Sequence, residues 1–250
     1  MLKICVAGKN ACSIKIVSFL EKKISKKNIL ILPNKGDKGI NEWQPSLKNY
    51  AKKKKLKIVK EKDLYMIKNL IFISIEYEEI LDVRRFSSKE LFNIHFSLLP
   101  KYRGCHTNYL QIKNGEKYSG VTIHKIDSGI DTGNIIDQIK YKVNVNTDAL
   151  KNYNKLMHFS VLIFFNNFKK IILNKYTQKK QNNKNSSYFS RKYVNYNKEK
   201  FIAKRENTLK FHNRIRALIF PPFQLPIYNG KKIEKTIFKK RKVYLKFAKY

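Results

Sequence analysis

Short apolar runs alternate with amphipathic segments along the first part of this chain, and this alternation constrains the fold more than any other feature. The runs Leu2–Ala7, Asn28–Pro33 and Leu70–Ile75 have the length and apolar character of buried strands. Between the first two, the apolar residues of 13–20 recur at helical spacing. Because strands that alternate with helices form parallel sheets with helices on both faces, we predict an α/β fold with a mostly parallel sheet. Further strands are predicted at Leu56–Val59, Phe92–Phe96, Val121–Ile126 and Ile135–Ile139, with a weak helix at Leu47–Lys54.

A long helix and a polar stretch follow these strands. Thr147 and Asp148 offer a helix N-cap, and the apolar residues of 150–172 recur at steps of three and four, which is typical of a helix that packs on a core. The stretch 177–187 is polar and without periodicity, so we predict a surface loop or linker there.

The last part of the chain is predicted to be a small mixed extension. It contains a predicted helix near Thr208–Leu218 and a hairpin whose strands, Ile227–Tyr228 and Lys232–Ile237, turn at Asn229-Gly230. The chain therefore divides into a main α/β domain (1–176), a linker (177–187) and a C-terminal extension (188–250) with a helix and a β-hairpin.

The formal charge of the chain is +36, from 54 lysines and arginines against 18 aspartates and glutamates. Such a charge is typical of nucleic-acid-binding proteins, since clustered cations release counterions from phosphates. Here lysine far outnumbers arginine, which is the better phosphate and base reader, and the lysines are spread along the chain apart from the run Lys52–Lys55. We interpret the charge as compositional drift that also attracts polyanionic small ligands, and we predict no nucleic-acid partner.

Cysteine usage and hydropathy indicate a reducing, aqueous compartment. Cys5, Cys12 and Cys105 form neither a CxxC pair nor an even-numbered framework, which argues against a disulfide scaffold and a structural zinc site. The first residues turn polar too soon for a signal peptide, and the longest apolar run, 161–165, is far shorter than the ~20 residues that span a bilayer. The histidines lack acidic or cysteine neighbours at ligand spacing. We predict a cytoplasmic protein with no membrane span and no metal.

The segment 92–138 carries the residues with the clearest chemistry. Asn93 and His95 are two apart on a predicted strand, so their side chains leave the same face near its carboxyl end. Asp131 lies between Gly129 and Gly133 in a loop that lets its carboxylate approach another backbone. An amide donor for a developing oxyanion, an imidazole that exchanges protons near neutral pH and a carboxylate that orients it suit acyl transfer to an amine. The competing interpretation is a core histidine with an unrelated turn aspartate.

The pattern Asn-x-His-x-Ser-Leu-Leu-Pro at 93–100, followed by Asp131-Thr132-Gly133, strongly resembles the formyltransferases that use N10-formyltetrahydrofolate. The resemblance covers about residues 1–175 and implies a Rossmann-like formyltransferase domain. It implies that Asn93, His95 and Asp131 are catalytic and that transfer is direct, with no covalent enzyme intermediate. Asn93 would donate to the developing oxyanion, while His95 either accepts the amine proton or is protonated and stabilises the oxyanion. Folate is expected in a pocket formed by Ser74, Ile75, Tyr77 and Asp127.

Within this family the chain is most similar to enzymes that act on nucleotide-linked amino sugars. The similarity lies in 102–108, in 112–116 and in a tail from 212 to 223. In that tail Asn213 and Arg216 are one helical turn apart and can share a phosphate. Phe220 and Phe223 can stack on a pyrimidine, although packing of a turn explains them equally well. The residues expected to contact the sugar nucleotide are Asn10, Ser97, Lys101, Tyr102, Arg103, Asn213, Arg216, Phe220 and Phe223.

The resemblance also implies an acceptor, a partner and a biological use. We favour dTDP-4-amino-4,6-dideoxyglucose, destined for surface glycans such as O-antigen, with a dTDP-3-amino-3,6-dideoxyhexose or another nucleotide sugar as the alternative. A methionyl-tRNA formyltransferase is less favoured, because the residues after the linker do not resemble its separate C-terminal barrel. Members of the amino-sugar branch commonly dimerise through the C-terminal hairpin, which implies a homodimer.

Overall fold

Apolar runs become strands in the structure, and the amphipathic segments between them become helices. This computed structural model describes residues 1–203 and 208–248. Its main part contains β1 (Lys3–Gly8), α1 (Asn10–Glu21), β2 (Ile29–Pro33), α2 (Leu47–Lys53), β3 (Lys57–Ile58), β4 (Leu70–Ile75), β5 (Glu90–His95), β6 (Arg103–Gly104), α3 (Thr107–Lys113), β7 (Tyr118–Lys125), β8 (Ile135–Lys142) and α4 (Ala149–Ile172). The remainder contains β9 (Tyr188–Phe189), α5 (Tyr196–Glu199), β10 (Phe201–Ile202), α6 (Leu209–Leu218), β11 (Ile227–Tyr228), β12 (Lys231–Lys239) and β13 (Lys242–Phe247).

A seven-stranded sheet in the order β3-β2-β1-β4-β5-β7-β8 organises the main part. Strands β1 to β5 run parallel to one another, whereas β7 pairs antiparallel with both β5 and β8. The predicted α/β class and mostly parallel sheet are therefore confirmed. Because β1, β4 and β5 are parallel neighbours, their carboxyl ends meet at one edge, where ligands of such sheets bind.

The two faces of the sheet are covered differently. On one face, α1, α2 and α4 bury apolar stripes that include Ile16, Leu47 and Phe164. The other face packs on the connections around β4, where Leu64 and Phe86 lie against the buried Phe72. These connections contain only short 3-10 turns, at Glu61–Leu64 and Val83–Arg85. The prediction of helices on both faces is wrong for this face, because its connections lack an apolar stripe of helical spacing.

The C-terminal extension shares a core with the main domain. One apolar cluster joins Tyr109 and Ile112 of α3 to Ile215 of α6 and Ile233 of β12. Strands β10 to β13 form a separate four-stranded sheet. The predicted turn between β11 and β12 is present, with Asn229 at φ 47° and Gly230 at φ 73°. A second hairpin, β12–β13, turns at 240–241 and was not predicted.

The polar stretch 177–187 differs from a free linker, because backbone hydrogen bonds hold it against the main sheet. Lys179 exchanges two backbone hydrogen bonds of 2.8 Å with Ile135, at the start of β8. Gln181 is only 7% exposed. Directly after the stretch, β9 pairs in parallel with β6, which brings Tyr188 beside Arg103. Among the helices of the described residues, none combines the length and apolar character needed to cross a membrane.

Candidate active site

The structure brings the three predicted catalytic side chains together at the carboxyl end of β5. Asn93 and His95 leave the same face of β5, and Asp131 reaches them from the loop between β7 and β8. Asp131 Oδ1 accepts a hydrogen bond from Asn93 Nδ2 at 3.1 Å, and Asp131 Oδ2 lies 3.4 Å from His95 Nδ1. One carboxylate therefore holds both partners, each through a different oxygen.

Asp131 owes its position to an unusual stretch of backbone. Its φ of 54° is uncommon for a residue with a side chain. Gly133 makes the fold of this loop possible, since a Cβ there would lie 1.9 Å from the carbonyl oxygen of Lys125. The Gly104 amide donates to Asp131 Oδ2 at 2.8 Å, which ties the loop to β6.

The electrostatics of the site favour an ionised Asp131. Burial alone would raise the pKa of its carboxyl. The positive charge of His95, a hydrogen bond with His124 and the Gly104 amide together outweigh burial, and they hold the pKa well below its ordinary value. The carboxylate is therefore charged over the whole physiological range and can act as a fixed acceptor.

His95 is 7% exposed, and both of its ring nitrogens face acceptors. Nε2 lies 2.7 Å from the carbonyl oxygen of Tyr102, while Nδ1 faces Asp131. A carbonyl oxygen only accepts hydrogen bonds, and so does an ionised carboxylate. A ring that is protonated on both nitrogens satisfies both neighbours.

His124 also belongs to this group, although it is not one of the predicted catalytic residues. Its Nε2 lies 3.2 Å from Asn93 Nδ2 and 3.4 Å from Asp131 Oδ1, and its Nδ1 lies 2.7 Å from the carbonyl oxygen of Lys125. The antiparallel register places His124 directly opposite Asn93. Sequence reasoning missed this contact because it did not predict the direction of β7.

A cavity of about 490 Å³ opens near these strand ends. Phe220 and Phe223 stack at its rim with ring centroids 5.4 Å apart. Trp43 meets both edge to face, at 5.6 Å and 5.2 Å. Phe223 is 68% exposed, whereas Phe220 is 7% exposed and also contacts Tyr153. The predicted aromatic pair is therefore present, with Trp43 as a third ring that the sequence did not reveal.

The predicted folate residues are divided between surface and core. Ser74 is buried and pairs with Asn93 in the register of β4 and β5. Asp127 is exposed and lies two residues after the end of β7. Thr132 Oγ1 donates to the Asp127 carboxylate at 2.6 Å, which fixes the loop that carries Asp131. Tyr77 is half-buried against the apolar core. Ile75 is fully buried, so its side chain belongs to the core, and the folate contact at this position stays a prediction.

Several predicted nucleotide contacts instead hold the protein together. Ser97 is fully buried and donates to the carbonyl oxygen of Lys101 at 2.7 Å. Arg103 is 8% exposed and donates to Gln181 Oε1 and Asn183 Oδ1. Both predictions are corrected, because a ligand would have to displace these buried hydrogen bonds. The neighbouring Lys101 is exposed, and the Tyr102 hydroxyl donates to Glu116 Oε1 at 2.8 Å.

Asn213 and Arg216 require the same correction. They are 6% and 2% exposed, and Arg216 Nε donates to Asn213 Oδ1 at 2.8 Å. Arg216 Nη1 also donates to the carbonyl oxygen of Thr147 at 2.6 Å, just before α4. Burial lowers the pKa of the Arg216 guanidinium to about 10. The pair joins α6 to the main domain through buried hydrogen bonds that a phosphate would have to displace.

Asn10 remains at the edge of the sheet, but its amide is engaged. Its Nδ2 donates to Glu76 Oε2 at 2.7 Å and to the Tyr153 hydroxyl at 2.6 Å. Glu76 and Tyr153 line the cavity, and neither was singled out from the sequence. Among the described residues, no three His, Cys, Asp or Glu side chains group as ligands for a metal ion.

Comparison with known proteins identifies the family to which this arrangement belongs. Residues 71–167 match the formyl transferase family. WlaRD, a sugar 3N-formyl transferase solved in the presence of dTDP and 5-N-formyl-THF, is 44% identical with a TM-score of 0.89, over 95% of this chain and 86% of that one. The chain belongs to the formyl transferase family. The predicted family and its amino-sugar branch are thereby confirmed.

A second solved structure of this branch has a fold that is equally similar to the fold of this chain. It is the N-formyltransferase from Helicobacter canadensis in complex with folinic acid and dTDP-3-aminofucose, at 41% identity and a TM-score of 0.89, over 95% of this chain and 88% of that one. Among curated proteins, the bifunctional polymyxin resistance protein ArnA of Wigglesworthia glossinidia brevipalpis is 34% identical over 63% of this chain. The chain spans only 24% of the length of that relative.

Proposed function

We propose that this chain transfers the formyl group of N10-formyltetrahydrofolate to the amine of a dTDP-linked amino sugar. The observation that carries the proposal is the convergence of Asn93, His95 and Asp131 at the carboxyl edge of the sheet. The ligands named for the two similar structures support the choice of substrates, since they are dTDP or dTDP-3-aminofucose together with a formylated folate or folinic acid.

In the proposed reaction the acceptor amine attacks the formyl carbon. The bond from that carbon to N10 of the folate breaks, and the proton that the amine loses passes to N10. Negative charge develops on the formyl oxygen, where one well-placed donor typically contributes about 10²–10³ in rate. Asn93 supplies this donor when its amide exchanges the contact with His124 for one with the formyl oxygen.

For His95 we propose the second of the two roles, a protonated ring that stabilises the oxyanion. The acceptors at Nε2 and Nδ1 support this role, because a neutral ring would turn a lone pair toward one of them. Asp131 then acts as the fixed counter-charge that faces Nδ1 and holds the orientation of the ring. A general-base role would require a free nitrogen lone pair that faces the amine.

The cavity suits a pyrimidine nucleotide at its aromatic end. Phe223 is largely exposed and offers a ring on which a base can stack, with Trp43 packed against it. Lys9 lines the same cavity, and its ammonium would exchange the ion pair with Glu78 for the diphosphate. We propose the folate on the side of Asp127. Its carboxylate, held by Thr132, complements the N–H donors of a pterin ring.

Of the acceptors considered from the sequence, we propose the dTDP-3-amino-3,6-dideoxyhexose. Both structures of 41% and 44% identity support this alternative over the favoured 4-amino sugar, because one is a sugar 3N-formyl transferase and the other contains dTDP-3-aminofucose. The position of the amine is decided by the shape of the sugar end of the cavity, near Glu76 and Tyr153.

The experiment that tests the proposal is a substrate panel. The protein is incubated with N10-formyltetrahydrofolate and dTDP-, UDP- and GDP-linked 3-amino and 4-amino sugars, and mass spectrometry detects one added formyl group. We expect formylation of a dTDP-3-amino sugar in preference to the 4-amino sugars. Methionyl-tRNA is included as the competing acceptor, and its formylation in place of any sugar contradicts the proposal.

We further propose that the product enters surface glycans such as O-antigen, that the enzyme acts in the cytoplasm and that it forms a homodimer. Among the described residues, β13 is the outermost strand of the C-terminal sheet. Lys242 and Lys246 lie on the same face of that edge strand, and charged side chains at an edge oppose direct strand pairing between copies. A dimer is therefore expected to pack through the sheet face, and light scattering at several ionic strengths measures its mass.

A further inference from the structure

Two neighbouring strands end in left-handed residues whose side chains meet at the cavity. Gly8 of β1 pairs with Ile75 of β4, and just beyond them Asn10 has φ 70° and Glu76 has φ 52°. Residues with side chains adopt this conformation only where their surroundings impose it. For Glu76 the surroundings include Asn34, whose Nδ2 donates to the Glu76 carbonyl oxygen at 3.0 Å. The direction of the Glu76 carboxylate is therefore set by the fold.

One oxygen of that carboxylate is saturated, and the other is not. Oε2 accepts from Asn10 Nδ2 at 2.7 Å and from the Tyr153 hydroxyl at 2.6 Å. Within residues 1–203 and 208–248, no hydrogen-bond donor of the protein reaches Oε1. Oε1 is nevertheless not a buried atom that lacks a partner. Glu76 is partly exposed and lines the cavity. Its second oxygen is thus positioned to accept from a molecule inside the cavity.

The charge around Glu76 points to a cationic partner. Lys9, the cation next to Asn10, is already paired with Glu78 at 2.8 Å. Burial raises the pKa of the Glu76 carboxyl, against the lowering effects of Lys9, Tyr153 and Asn10. A carboxylate in this position is stabilised by an additional positive charge, because isolated charges are costly away from water. An ammonium group provides both the charge and an N–H donor.

The sheet brings Glu76 to the end of the strand that carries His95, and Phe96, directly after His95, lines the same cavity. Ile75 and Ile94 are paired across β4 and β5, so Glu76 follows at the level of His95. The aromatic rings of Phe220 and Phe223 line the same cavity. A nucleotide sugar whose base stacks on these rings has its sugar further inside, toward Glu76.

We propose that Glu76 Oε1 binds the amino group of the acceptor sugar and selects amino sugars over the matching hydroxyl sugars. Asn10 and Tyr153 are positioning residues that act through Oε2. This inference rests on the proposed function, because it names the group that recognises the acceptor of that reaction.

The test compares three ligands on the wild-type protein and on Glu76→Gln, which keeps the size of the side chain. The ligands are dTDP, a dTDP-3-amino-3,6-dideoxyhexose and the same nucleotide sugar with a hydroxyl in place of the amine, and titration calorimetry gives each Kd. The wild-type protein is expected to prefer the amino sugar over the hydroxyl sugar by about 10–100-fold, the usual contribution of a charge-assisted hydrogen bond. Glu76→Gln is expected to abolish this preference and to leave the affinities for dTDP and the hydroxyl sugar within about twofold.

Glu79→Gln is the matched control. Glu79 lies on the same loop, pairs with Lys35 at 2.9 Å and does not line the cavity, so all three affinities should equal those of the wild-type protein. A Glu76→Gln protein that keeps the full preference for the amine overturns the inference. So does one that loses dTDP as well, since Glu76 would then maintain the shape of the cavity. A wild-type protein that binds none of the three ligands overturns the proposed function and this inference together.

Discussion

Asp131 Oδ2 lies 3.4 Å from His95 Nδ1, and the same oxygen accepts the Gly104 amide at 2.8 Å. The carboxylate thus connects the loop after β7 to the end of β5 and to β6. This connection fixes the position of the site. The same contacts keep the Asp131 carboxylate ionised, which burial alone would disfavour. Both consequences are open to measurement.

Asp131→Asn is expected to lower the free energy of unfolding at neutral pH by about 1–3 kcal/mol, the usual contribution of hydrogen bonds to a charged group. The folded pKa of Asp131 is depressed. Its contribution is therefore complete above the ordinary aspartate pKa of about 3.9 and is lost as the pH falls below it. Urea unfolding of both proteins between neutral pH and pH ~3 should show the difference shrinking in acid. A difference that stays constant over this range contradicts the assignment of the charge.

Arg216→Met is expected to destabilise the protein without changing its affinity for dTDP. The substitution removes the donors to Asn213 and to the Thr147 carbonyl, and a buried acceptor left without a partner costs about 1–3 kcal/mol. Arg214→Met is the control, since Arg214 is more exposed and meets Glu199 only at 3.9 Å. Urea unfolding and dTDP titration are measured together. A loss of dTDP affinity with unchanged stability would restore the phosphate role that the sequence suggested.

Phe223→Ala and Phe220→Ala should separate binding from stability. Phe223 is 68% exposed at the cavity, so its removal is expected to weaken dTDP binding by about 5–100-fold, the range for one stacked base, with little change in Tm. Phe220 is 7% exposed, and truncation of a buried phenylalanine costs about 3–5 kcal/mol. Calorimetric titration and thermal melts distinguish the two. An unchanged dTDP affinity in the Phe223 variant argues against the base site.

The sequence predicted those features that local spacing determines. Asn93 and His95 share a strand face because they are two residues apart, and Asn229-Gly230 forms a turn because both residues tolerate positive φ. It did not predict His124 in the site, because that contact depends on the antiparallel direction of β7. The spacing of Asn213 and Arg216 places them on one helix face but does not reveal that this face is buried. Glu76 lines the cavity and Trp43 packs on Phe220 through tertiary contacts alone.

Gln181 illustrates the same limit and provides a further prediction. Its Nε2 donates to the carbonyl oxygens of Asp131 and Gly133 at 2.9 Å and 2.8 Å. Gln181 therefore supports the loop of Asp131 from the stretch that was predicted to be a surface loop or linker. Gln181→Ala is expected to lower kcat by about 10–100-fold through misplacement of Asp131, with KM for the sugar nucleotide nearly unchanged. Gln178→Ala is the control, because Gln178 is exposed and accepts a hydrogen bond from Asn134 at 3.2 Å, away from Asp131. Equal kinetics for the two variants would show that the loop holds its position without this support.

The most direct test is the single-turnover rate of formyl transfer for Asn93→Ala, His95→Asn, Asp131→Asn and the double variant Asn93→Ala/Asp131→Asn. We expect each single substitution to lower the rate by about 10²–10⁴-fold, and the double variant to be little slower than the slower single one, because the residues act as one unit. Titration with dTDP confirms that each variant keeps its nucleotide site. A rate near that of the wild-type protein in any of the three single variants would contradict the account.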